Sequence, residues 1–291
     1  MAEWISIGSG ALTAAINPLG AELSSLKDAD GRELMTDADP VFWTGRAPLL
    51  FPIVGRCHDD HILVDGRAYA IGKHGFVRRL PFAVIDRRDD HARFRLEDTP
   101  ETRAAYPFAF RLDAAFTVAG ATLATDITIT NPGDAPLPAS FGFHPAFAWP
   151  LPYGAARAGH AMTFEADEPG ALRRITPEGY STAPVRLSPV AGNRLPLADA
   201  LFEDDALVWD PVHSQSLRYG PPEGPALRID FPDTPRLGIW TKPGARFVCV
   251  EPWHGLADPE GWTGEFADKP GVFLVPPGGA WHCTMRVTLT A

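Results

Sequence analysis

The chain has 291 residues and a formal net charge of -10, with 45% hydrophobic and 21% charged residues. This balance excludes a disordered polymer, and the negative charge without any Lys/Arg-rich run argues against a nucleic-acid partner. Cys57, Cys249 and Cys283 are widely spaced and form no CxxC pair or disulfide framework, which fits a reducing compartment.

From the N-terminus, "MAEWISIGSGALTAAINP" lacks a basic segment followed by an apolar run. No later stretch approaches the roughly 18 apolar residues of a membrane helix, so the expectation is a cytoplasmic protein with no membrane partner. The 30 prolines and 27 glycines are scattered throughout and leave little room for long helices. "HILVDGRAYAIG" reads as strand, turn at Asp65-Gly66, strand. "FAVIDRRDDHARFRLED" reads as two strands around a charged turn, and "TPETRAA" at 99–105 as a short helix. In "FAFRLDAAFTVAGATLATDITITN", Phe108, Phe110, Leu112, Ala114 and Phe116 alternate before a turn at Ala119-Gly120. Leu123, Thr125, Ile127 and Ile129 then continue the period of two. The Pro/Gly-rich region 150–200 reads as a surface excursion with small strands. Further strands fall at 226–231, 237–241, 246–252 and 281–290. So many short strands predict an all-β fold, a large antiparallel β-sandwich forming one domain over 1–291.

Three motifs place a titratable side chain where a strand is expected to stop: "GKHGFVRRL" with His74, "GFHPAF" with His144 and "CVEPWHG" with Glu251. His144 and Glu251 each precede a proline, which holds them on stiff, extended backbone. His144 is expected to be enclosed by Phe141, Phe143 and Phe147. Taken singly, either histidine reads more readily as a satisfied structural residue than as a functional one. A carboxylate closing the apolar run "RFVCVE" requires a partner or a function. Cys249 alternates with Glu251 on one strand face and reads as core. "RCHDDHI" lacks distant ligands to complete a metal site, so no metal is expected. His282 and Cys283 read as packing residues.

The ordered set "FPIVGR", "KHGFVRR", "YPFAFRLDAAFTV", "GFHPAF", "FEDDALV" and "EPWHG" resembles the aldose 1-epimerase (galactose mutarotase-like) family, in its LacX-like branch. The resemblance runs from about residue 10 to the C-terminus. It implies an antiparallel sandwich with a sugar in a cleft across one sheet, and interconversion of aldose anomers without a cofactor. The family's two histidines and glutamate correspond to His74, His144 and Glu251. Its sugar contacts correspond to Arg56, to Arg78 (with Arg79 adjacent), and to Asp205 or its neighbour Asp204. Trp253 is a candidate to stack on the sugar. The second-histidine motif reads His-Pro-Ala-Phe where galactose mutarotases carry His-Pro-Tyr-Phe-Asn, and their Asn-rich segment before the first histidine is absent.

The implied partner is a small-molecule aldose or sugar phosphate, and the chain is read as a monomer or homodimer. Ring opening needs a base at the anomeric hydroxyl and an acid at the ring oxygen. Glu251 is assigned as base and His144 as acid on opposite sides of the sugar, with His74 hydrogen-bonding the ring oxygen or a neighbouring hydroxyl. From ordinary pKa values Glu251 is expected to be ionised and His144 partly protonated. Arg56, Arg78 and Arg79 would receive a phosphate in a hexose-6-phosphate epimerase. A non-catalytic sugar-binding module would not need the acid/base set.

Overall fold

A computed structural model describes residues 3–291. Its largest sheet has nine antiparallel strands. One half is the sequential meander Ala83–Arg87, His91–Glu97, Arg111–Ala119 and Thr122–Thr130. The other half comprises Ala226–Asp230, Ser216–Gly220, Ala161–Phe164 and Arg194–Pro196. The strand Ala280–Thr290 joins them, pairing Thr122–Thr130 on one side and Ala226–Asp230 on the other.

The second sheet is built around Phe247–His254. Arg236–Trp240 and then Leu207–Trp209 lie on one side, and Phe141–Phe143, Ala146–Ala148 and Leu49–Leu50 on the other. The two sheets face one another. Phe141 meets Trp281 across the gap at 5.9 Å between ring centroids, and Phe164 meets Trp209 at 5.4 Å. The alternation in the sequence explains this face: Phe110, Leu112, Ala114, Phe116 and Val118 are all buried.

The sandwich matches the expectation, as do the hairpin at Asp65-Gly66 and the helix Pro100–Ala105, the one α-helix among the described residues. Region 150–200 carries two short strands as expected, but they are built into one end of the nine-stranded sheet, with Met162, Phe164 and Leu195 buried, so the region is not a surface excursion. Three further local expectations fail. Phe108 and Phe110 precede the strand, because Phe108 N–H closes a tight turn on Tyr106 O and Phe110 N–H donates to Asp98. His282 is exposed and hydrogen-bonds Thr128, whereas Cys283 is buried. Glu251 does not end a strand: Phe247–His254 runs through Pro252.

That proline is accommodated by a break in the neighbouring strand. Phe141–Phe143 pairs with the far end of Phe247–His254, Ala146–Ala148 pairs with the near end, and His144-Pro145 spans the gap. Val250 donates its N–H to Pro145 O. Two residues on, Pro252 turns its donor-less nitrogen toward the same side, where no ladder bond is required. The break places His144 beside Glu251.

Candidate active site

The break lies at the base of a cleft of about 490 Å³ lined by His74, His144, Glu251, Arg78, Asp205 and Trp253. The structure thus brings together six of the seven residues singled out in the sequence. Arg56 is not among the lining residues. Its guanidinium makes a two-pronged ion pair with Asp60, both bonds at 2.8 Å, and donates to Glu178 O. Of the adjacent acids, Asp205 lines the cleft, while Asp204 pairs with Arg174 at 2.9 Å.

His74 is held in the left-handed region, at φ 65, an uncommon conformation for a side-chain-bearing residue. The loop at Gly55 fixes it there. His74 N–H donates to Gly55 O at 2.8 Å, and Gly55 N–H donates to His74 Nδ1 at 3.0 Å. Since Nδ1 accepts, the neutral ring carries its proton on Nε2. Burial, followed by the nearby His144, Lys73 and Arg78, pushes the His74 pKa well below the usual histidine range. His74 is therefore a neutral donor at physiological pH.

His144 Nε2 lies 3.1 Å from Glu251 Oε2, and both side chains are buried. Burial dominates their titration. It pushes His144 down to about 3, with the Lys73 and Arg78 charges adding to it. It raises Glu251 well above the ordinary carboxylate range, Lys73 opposing. The expectation of an ionised glutamate beside a protonated histidine is thus reversed. Loss of water favours the neutral forms, with one proton held between Nε2 and Oε2.

The aromatic surroundings also differ from expectation. The rings beside His144 are Trp43 at 4.9 Å and Trp240 at 5.8 Å, while Phe141, Phe143 and Phe147 point into the sandwich core. Trp253 forms the floor. Its indole lies across the sheet over Gly142 and Gly238, where an added Cβ would sit 2.5 Å and 2.6 Å from the ring. Its Nε1 has no hydrogen-bond partner among the described residues. Gly142→Ala is accordingly expected to displace the indole and cost about 1–3 kcal/mol, checked by denaturant unfolding.

Sequence reasoning missed Trp43, Trp240, Lys73 and Lys242, all of which line the cleft. Trp240 was within reach: Gly238 pairs with Glu251 and Trp240 with Cys249, so alternation carried across the ladder puts them on the cleft face. Lys73 adjoins His74. Trp43 and Lys242 stand outside the strands and left no periodic signal.

Behind the cleft wall, Lys269 Nζ and Asp258 Oδ1 form a buried ion pair at 2.6 Å. Asp258 also ties three segments together. Its Oδ2 accepts from His58 N–H, its N–H donates to Arg56 O, and its carbonyl accepts from Ser181 N–H. The adjacent Ala257 lines the cleft.

Residues 3–186 match the family model for aldose 1-epimerase, and the chain belongs to that family. The chain is 32% identical over 276 residues to the chromosomal Protein LacX of Lactococcus lactis subsp. lactis, covering 91% of this chain and 92% of the relative. A galactose mutarotase related enzyme from Lactobacillus acidophilus superposes with a TM-score of 0.91 at 28% identity, covering 99% of this chain and 97% of the other. A galactose mutarotase-like protein from Lactobacillus casei ATCC 334 gives 0.91 at 29% identity, covering 99% and 100%. No helix among the described residues is long and apolar enough to cross a membrane.

Proposed function

We propose that the chain acts as one sandwich domain and is an aldose 1-epimerase, interconverting the α and β anomers of an aldohexose. The observation that carries this reading is the 3.1 Å contact between His144 and Glu251 on the cleft base. The ring oxygen and the anomeric hydroxyl of an aldose are bonded to the same carbon. Their acid and base must therefore stand side by side, rather than on opposite faces of the sugar.

One shared proton suffices. From the neutral resting pair the shared proton first moves from Glu251 Oε2 to His144 Nε2, and His144 then protonates the ring oxygen as the ionised Glu251 takes the hydroxyl proton. The C1–O5 bond breaks and the aldehyde forms. The pair is left as neutral imidazole and carboxylic acid, the forms that burial favours. Rotation about C1–C2 and the reverse transfers close the other anomer and restore the pair. His74 donates to a ring substituent, and Trp253 stacks on the apolar face of the ring. Arg78 and Asp205 hold hydroxyls.

A second reading, a hexose-6-phosphate substrate, draws on charge. Lys73, Arg78 and Lys242 line the cleft without an ion-pair partner among the described residues, in a chain of net charge -10. NMR exchange spectroscopy on free aldoses and their 6-phosphates tests both readings. Faster anomer exchange is expected for at least one free aldohexose. Acceleration confined to the phosphates selects the second reading, and none for any sugar leaves a binding protein.

A further inference from the structure

We propose that His144, Cys249 and Glu251 form a binding site for a thiophilic divalent cation of the zinc class, and that this cation and the sugar exclude each other. Each residue offers one ligand atom, and the atoms all lie within 4.8 Å of one another. The sheet produces the cluster. Cys249 and Glu251 alternate on one face of Phe247–His254, and the strand break delivers His144 from the next position.

A thiolate, an imidazole and a carboxylate belong to zinc's repertoire, whereas calcium and magnesium take oxygen. Bond lengths of about 2.0–2.3 Å set neighbouring ligand atoms of a tetrahedral centre roughly 3–4 Å apart. The 3.1 Å between His144 Nε2 and Glu251 Oε2 meets that spacing with no rearrangement. As the metal binds, two protons leave to solvent, the thiol proton of Cys249 and the proton shared by His144 and Glu251. A dication held by one thiolate and one carboxylate is electrically neutral, which suits the apolar pocket of Ala146, Ala245 and Phe247 around Cys249. His144 and Glu251 line the cleft and Cys249 does not. The cation therefore enters from the cleft, with Cys249 behind it and a fourth position facing the sugar's place.

Binding itself stands apart from the proposed activity. The exclusion rests on that activity, because the cation occupies the lone pairs that carry the proton. The test uses the full chain, stripped with chelator and titrated with Co²⁺ and then Zn²⁺. One Co²⁺ per chain is expected, with a sulfur-to-cobalt charge-transfer band that Zn²⁺ abolishes. Cys249→Ser, with Cys249→Ala as a second variant, should lose the band. It should also weaken zinc by at least the about 10- to 100-fold that loss of an outer-shell partner costs. Anomer exchange should fall in step with zinc occupancy in the parent chain and persist in the variants at the same zinc concentration. A cobalt spectrum without the sulfur band, or zinc affinity unchanged in both variants, overturns the site. Exchange persisting at full occupancy overturns the exclusion. The band in a chain that shows no exchange even without metal upholds the site and sinks the epimerase reading instead.

Discussion

Glu251→Gln is expected to slow anomer exchange about 10²- to 10⁴-fold while leaving thermal unfolding nearly unchanged. The two halves of this expectation have one origin. Glu251 is buried in a strand at the centre of its sheet, and burial already favours its uncharged form. A glutamine has the same shape, carries no charge and can still hydrogen-bond His144, so the fold loses little. The amide cannot accept the hydroxyl proton, so the shared-proton cycle stops. Polarimetry of a freshly dissolved single anomer measures the first half and a melting curve the second. Near-parent exchange in a folded variant would remove Glu251 as the base.

The second large effect concerns stability. Lys269→Met should cost about 3–5 kcal/mol, because it strands the Asp258 carboxylate without its cation. Both side chains are almost wholly buried, at 3% and 2% exposure, so water cannot replace the lost partner. Denaturant unfolding reads the loss directly. A cost below about 1 kcal/mol would place the pair with ordinary surface ion pairs. The Asp258 node holds Arg56 and Ser181 through its backbone and His58 through its carboxylate, so local opening should start at this wall of the cleft.

The sequence revealed this molecule unevenly, for physical reasons. Strands such as Thr122–Thr130 are half-buried, so alternation exposes them directly. His74, His144 and Glu251 stand out because each sits beside a glycine or proline that interrupts the pattern. The break at His144-Pro145 was not legible, since it exists only once a neighbouring strand is paired on both sides of it. Nor was the protonation of the site. Reference pKa values describe a solvated side chain, and the depth of Glu251 is a property of the folded sheets. Arg56 illustrates the converse: its place in a motif is plain, yet its charge is committed to Asp60 four residues away.

The order of strands in the nine-stranded sheet bears on how the chain is made. Ala280–Thr290 lies between the two halves of that sheet and follows all eight of its companions along the chain. On the ribosome, both halves emerge before the strand that unites them. Each nascent half must wait with an open edge, at Thr122–Thr130 and at Ala226–Asp230, ready to pair with any other exposed strand. Closure therefore waits for the last of the nine strands and is governed by non-local pairing, and the interval before it is when the growing protein is most exposed to aggregation.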